Sequence, residues 1–163
     1  MTTESMKSLL VEGLQELYYA EQELDEALQT LAEETEDKMV SNAFADHRKE
    51  TQEQIDRLER VFEHIDEEPK TREDHVVDAM ISEHREFARE NSGEVLDRFN
   101  MATGQKTEHY EIAAYGNLTS LAGKLGYDEA ADLLEETLRE EEQALETVSR
   151  GSEQFDQQEV AGD

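Results

Sequence analysis

A chain of 163 residues with 43 acidic against 15 basic side chains carries a formal net charge of −28; this excludes nucleic acid and anionic membranes as partners, since both are repelled by such a surface. Cysteine is absent, so disulfides and thiolate-held metals are excluded, and any metal must rest on oxygen or imidazole. No apolar run nears the roughly 20 residues that cross a bilayer, and Met1-Thr2-Thr3-Glu4 has neither the basic nor the apolar region of a secretory signal. The expectation is one cytoplasmic domain.

The charge far exceeds the magnitude of about 2–8 that suits a small domain. With only six lysines, the composition points to a salt-rich cytoplasm, where counter-ions screen the self-repulsion.

The series Leu10, Leu14, Leu17, Glu21, Leu24, Leu28, Leu31 steps by four and three and predicts a first helix over residues 4–33. The polar stretch 33–38 is a short connection. Phe44, Ile55, Leu58, Phe62 and Ile65 mark one side of a second helix over residues 40–65. A loop over 66–74 holds the single proline, Pro69. Val76, Val77, Met80, Ile81 and Phe87 then predict a shorter helix closed by Asn91-Ser92-Gly93. From there, with Asn91 or Ser92 as N-cap, a helix runs to Leu125. Gly126 reads as its C-terminal stop and Asp128 as the N-cap of a last helix ending near Arg150. Residues 1–150 are thus one helical bundle, and 151–163 read as a disordered acidic tail.

The two short connections make two antiparallel hairpins, and the long middle segment lets the second and third long helices run parallel. That is the ferritin-like arrangement: an all-α four-helix bundle, two hairpins with one long crossover, here with one short extra helix. An internal repeat at an offset of 90 supports it. Phe44 maps to Leu134, Ile55 to Leu145, Glu21 to Glu111 and Glu50 to Glu140, and the two short connections coincide.

In so acidic a chain only carboxylates on the apolar seam are informative. Glu21 lies between Leu17 and Leu24, Glu111 precedes Ala114, Leu118 and Leu121, and Glu141 lies between Leu138 and Leu145. Burying an unpaired carboxylate costs several kcal/mol, so each calls for a proton, a partner or a cation. His47 and Glu50 share a face of the second helix, with Glu53 a turn further on, and Glu108 lies one turn before Glu111. Glu140 is the repeat-mate of Glu50 whereas Glu141 fits the seam better, and both stay candidates.

Four carboxylates from four helices, with one or two histidines, form an oxygen-rich box for two divalent ions. The set is Glu21, Glu50, Glu111 and Glu140 or Glu141, with His47 and Glu108 beside them. The usual Glu-x-x-His pattern is missing: Glu53, Gln143 and Ala144 stand three residues after Glu50, Glu140 and Glu141. Plainer readings compete with this one. Glu21 and Glu111 would then bond arginines at the edge of the stripe, and His47 would be a hydrogen-bonded core or surface residue. His64, His75 and His84 read as surface residues, His109 as structural or exposed, and Tyr18 and Tyr110 as packing aromatics with a hydroxyl partner.

Tyr18-x-Ala20-Glu21, His47-x-x-Glu50-Thr51, Glu108-His109-Tyr110-Glu111-Ile112-Ala113-Ala114-Tyr115-Gly116, and Leu125-Gly126 followed by Leu133-Leu134 and Thr137-Leu138-x-Glu140-Glu141 resemble the YciE/YciF family of ferritin-like proteins. The resemblance spans residues 6–150, and its helix segment at 108–116 is the specific part. It implies the same bundle, a dinuclear metal centre drawn from the glutamates above, and a homodimer. It also implies a link to stress responses and to ferroxidase activity. The function expected is a di-metal protein, iron first with manganese or zinc as alternatives, oxidising Fe(II) with dioxygen or hydrogen peroxide. The alternatives are a non-catalytic metal-binding bundle acting through a partner, and a metal-free structural bundle. No catalytic residue beyond the metal ligands is assigned.

Overall fold

The computed structural model describes residues 3–160. It contains α1 (Met6–Glu34), α2 (Lys38–His64), α3 (His75–Glu90), α4 (Gly93–Lys124) and α5 (Asp128–Phe155), followed by a π-helical turn, Asp156–Val160. Among the described residues there is no strand. The leucine seam determines how α1 packs. Leu10, Leu14, Leu17, Leu24, Leu28 and Leu31 are all buried, each gaining about 2 kcal/mol of transfer free energy. Three-residue connections force α1 against α2 and α4 against α5 as hairpins. The hairpins join through α2 with α5 and α1 with α4, while α3 packs on α4 and α1. This is the expected ferritin-like topology with its extra helix.

The caps explain where the elements begin and end. Ser5, Asp37 and Asp74 accept backbone N–H groups at the starts of α1, α2 and α3. Ser92 takes the N-cap position of α4 without a side-chain bond, while the Asn91 amide bonds back to Phe87 at the end of α3. Gly126, at φ +84, closes α4, with Tyr127 N–H donating to Ala122 and Gly126 N–H to Gly123. Asp66, at φ 58, closes α2 by the same pair of bonds, Glu67 to Phe62 and Asp66 to Glu63. Asp128 does not cap α5. It is the first helical residue, and Tyr127 precedes it with no side-chain cap bond.

The tail needs a larger correction. α5 continues to Phe155, and residues 151–160 are helical rather than disordered. Phe155 is buried, and Arg98 on α4 grips Asp156 with two bonds, Nε to Oδ1 at 2.6 Å and Nη2 to Oδ2 at 3.1 Å. An aromatic anchor and a bidentate ion pair hold ten residues that composition alone leaves loose. Residues 161–163 of the expected tail lie outside the described residues.

His84 also departs from expectation. It is buried, not a surface residue, with Nε2 2.7 Å from Asn100 Oδ1. Asn100 donates to Thr35 Oγ1, which donates to the Leu31 carbonyl. Beside this chain Asp97 accepts the backbone N–H groups of Glu36 and Asp37, both at 2.9 Å. Side chains of α4 therefore bond all three residues of the α1–α2 connection, Asn100 to Thr35 and Asp97 to Glu36 and Asp37.

The largest apolar cluster fills the end of the bundle near the N-terminus of α1, from Leu10, Leu14 and Leu17 across to Phe62, Leu118 and Leu134. A smaller cluster of Leu28, Leu31 and Phe44 occupies the opposite end. Between the two lies a polar layer.

Candidate metal centre

Each main helix contributes to this layer. α1 supplies Glu21, α2 His47, α4 Glu108 and Glu111, and α5 Glu141, and the four glutamates are buried. Glu21, Glu111 and Glu141 each offer an oxygen within 4.8 Å of the others. His47, Glu108 and Glu141 form a second such group. Glu141 belongs to both, so the two groups abut across one shared carboxylate.

His47 Nε2 lies 2.7 Å from Glu108 Oε1 and 3.9 Å from Glu141 Oε2. Its Nδ1 is 3.2 Å from Glu50 Oε2. Glu50, on the outer side, orients the ring so that Nε2 faces the centre, as outer carboxylates do for metal-binding histidines. On the opposite wall the Tyr115 hydroxyl, fully buried, donates to Glu21 Oε1 at 2.5 Å.

Burial dominates the electrostatics. It pushes the Glu21 carboxyl up to about 7, against the opposing pull of bonds to Tyr115 and Glu111 and of the His47 charge. Burial, then the charges of Glu21 and Glu108, raises Glu111 well above the ordinary range. Glu141 is raised by burial and by Glu111. Glu108 is the exception. Burial raises it too, but bonds to Glu141 and His47 outweigh that and hold it low. The His47 imidazole loses solvation, yet Glu108 and Glu50 carry it up to about 10.

With these carboxyls ionised, no donor reaches Glu21 Oε2, Glu108 Oε2 or either oxygen of Glu141. A proton shared between neighbouring carboxyls, or a cation, must supply what is missing. Four carboxylates balance two divalent ions, and a donor set of oxygen with one imidazole suits iron, manganese or zinc. The residues present fit a metal pair.

The candidates from the sequence thus separate. Glu21, His47, Glu108, Glu111 and Glu141 come together, and Glu50 stands behind His47. Glu140 does not join them. Arg57 takes both its oxygens, Nη1 to Oε2 at 2.7 Å and Nη2 to Oε1 at 2.9 Å, and holds it outside the layer. Glu53 is exposed, as are His64, His75 and His109. Tyr18 bonds Glu59, and Tyr110 bonds Asp74 at the cap of α3.

The repeat overstates the symmetry. At the offset of 90, Glu141 pairs with Thr51, Ala144 with Gln54 and His47 with Thr137. Thr51 and Gln54 are buried in α2 where the usual pattern places glutamate and histidine. Tyr115 was not legible as a site residue. Its one sequence signal is its place four residues after Glu111, on the same face of α4.

The sequence model of the family described as "Domain of unknown function (DUF892)" matches residues 5–161. The protein YciF of Escherichia coli K12 is 38% identical over 143 residues, 86% of each chain. The crystal structure of the E. coli stress protein YciF superposes with a TM-score of 0.89 at 35% identity, covering 93% of this chain and 97% of that one. YcfI of Rhodopseudomonas palustris, provisionally named a structural protein, gives a TM-score of 0.88 at 36% identity, over 90% of this chain and 94% of that one. A Xanthomonas campestris protein at 22% identity and a TM-score of 0.76, covering 96% of this chain and 99% of that one, shares the fold. No helix among the described residues is long and apolar enough to cross a membrane.

Proposed function

This chain belongs to the DUF892 family and is a relative of the stress protein YciF, and on that premise we propose that its buried layer is a dinuclear metal centre, iron first, that oxidises Fe(II) with dioxygen or hydrogen peroxide in stress defence. The observation that supports it best is the convergence of Glu21, Glu108, Glu111, Glu141 and His47 from four helices into one buried layer, in two ligand groups that share Glu141. Glu21, Glu108, Glu111, Glu141 and His47 Nε2 would hold the ions. A pair of redox-active ions held there supplies the one-electron steps that reduction of dioxygen or peroxide requires.

The protein's own groups do the rest. Tyr115 fixes one oxygen of Glu21 and leaves the other free, and Glu50 keeps the His47 ring in place. In the metal-free state burial and their neighbours favour the neutral forms of Glu111 and Glu141, so metal ions would compete with protons at these groups. The apolar cluster of Leu14, Leu17 and Leu118 closes the layer on one side.

The test is elemental analysis of protein purified in molar KCl, loaded anaerobically with Fe(II) and desalted. About two ions per chain are expected, lost in Glu141→Ala and retained in Glu140→Ala. Equal loading of the native protein and Glu141→Ala would refute the centre. Oxygen consumption by the loaded protein then tests turnover, and sedimentation in molar KCl tests the homodimer.

One observation favours a second reading, a metal-free structural bundle. The His47–Glu108 pair and the Tyr115–Glu21 bond already satisfy half the layer without an ion, and the R. palustris relative bears a structural name. Native protein that retains no metal would decide for it.

A further inference from the structure

A cleft opens on the flank of the bundle between α2 and α5. It lies beyond the polar layer from the main apolar cluster and has a volume of about 790 Å³, within the roughly 300–1,000 Å³ typical of small-molecule sites. Leu28, Phe44, Met101 and Phe155 form its buried apolar floor. His47 and Glu108 stand at its inner end, and Glu108 Oε2 has no hydrogen-bond donor.

The reason the cleft reaches the centre can be read at Ala144. It lies three residues after Glu141, where the Glu-x-x-His pattern would place an imidazole. A methyl group stands there instead and lines the cleft. His47 and Glu108 line the same cleft.

The rim determines what can enter. Asp37, Asp46, Glu50 and Glu53 lie on it. Its two cations, Lys49 and Arg150, are already paired, with Asp46 and Glu146. An anion would meet this rim on a chain of net charge −28 and be repelled.

We propose that the cleft binds a small, elongated, uncharged apolar molecule with one hydroxyl end, an aliphatic alcohol in chemical class, seated with that end against His47 and Glu108. The apolar floor takes the chain and the centre takes the oxygen. The seating rests on the reading of the buried layer as a metal centre; the occupancy of the cleft does not.

The experiment uses the full chain in the lowest KCl at which it stays folded, with Nile red as the probe. The dye should saturate at one equivalent per chain, and decanol should displace it at a concentration at least about tenfold lower than decanoate. Ala144→Trp, from α5, and Ala43→Trp, from the facing wall, should each abolish dye binding while retaining Co(II) loading and the native circular dichroism. In Co(II)-loaded protein, decanol should shift the visible absorption. Dye binding unchanged in both variants, or decanoate matching decanol, would overturn the proposal. So would either variant turning a dimer into a monomer, since a second copy would then cover the cleft. Cobalt that loads but shows no shift overturns the seating alone. Dye binding without cobalt loading overturns the metal reading and leaves the apolar site standing.

Discussion

Replacing Glu21 by glutamine should remove a defined part of the pH dependence of the metal-free protein's stability. Glu21 is fully buried and its carboxyl is pushed up to about 7, against an ordinary value near 4.5. A proton held more tightly by the folded than by the unfolded chain favours folding. That contribution is complete below about pH 4.5, falls as the unfolded chain ionises, and is gone above about pH 7, where both states are ionised. Moving one carboxyl over this range is worth about 3 kcal/mol. Glutamine keeps the size and still accepts the Tyr115 hydroxyl, but cannot ionise. Urea melts followed by far-UV circular dichroism, in molar KCl with a chelator, should show the native protein losing about 3 kcal/mol more than Glu21→Gln between pH 4.5 and pH 7.5. At a slope near 2 kcal/mol/M this is a midpoint shift of roughly 1.5 M urea. Repulsion among surface carboxylates also grows with pH but is common to both proteins and cancels; the Glu21 charge that helps to raise Glu111 is lost in the variant, so the difference belongs to the pair. Parallel curves for the two would refute a buried, proton-binding Glu21.

Three further outcomes are expected. Tyr115→Phe should weaken iron binding by about 10–100-fold, since it strips the group that orients a ligand; competition with a fluorescent chelator measures this, and unchanged affinity would mean that the hydroxyl only packs. Asp66→Gly should raise stability by about 0.5 kcal/mol, because φ 58 strains an L-residue more than glycine's extra chain entropy costs; the urea midpoint should rise at constant slope, and a fall would mean that the Asp66 side chain makes a compensating bond. The melting temperature should climb from dilute buffer to molar KCl as the charge of −28 is screened; a flat or falling trend would remove the case for a salt-rich habitat.

The bundle was legible because its leucines keep a three-and-four spacing through α1 and its connections are short, and both features are local. The glutamates on the seam were legible for the same reason, since a carboxylate in a leucine series stands out against its neighbours. Glu140 and Glu141 could not be separated. They are adjacent, about 100° apart around the helix, and Arg57 decides between them from α2, more than eighty residues earlier in the chain. Tyr115 was hidden because an aromatic on a helix face reads as packing until its partner across the bundle is known. His84 was misread because its hydrogen-bond partner Asn100 comes from another helix. The end of α5 was missed because its anchors are one aromatic and one aspartate, too few to show as a period. In each case the deciding contact crosses between helices.

The Asp97 carboxylate, which holds the Glu36 and Asp37 amides, bears on the order in which the chain assembles. The first hairpin makes part of its own corner, with Ser41 Oγ donating to the Ala32 carbonyl, but the Glu36 and Asp37 amides find their acceptor on a residue sixty positions further on. Those two bonds must wait for the second half of the chain to dock. They therefore belong to the late side of the folding barrier, and loss of the Asp97 carboxylate should show chiefly as faster unfolding, with the refolding rate little changed.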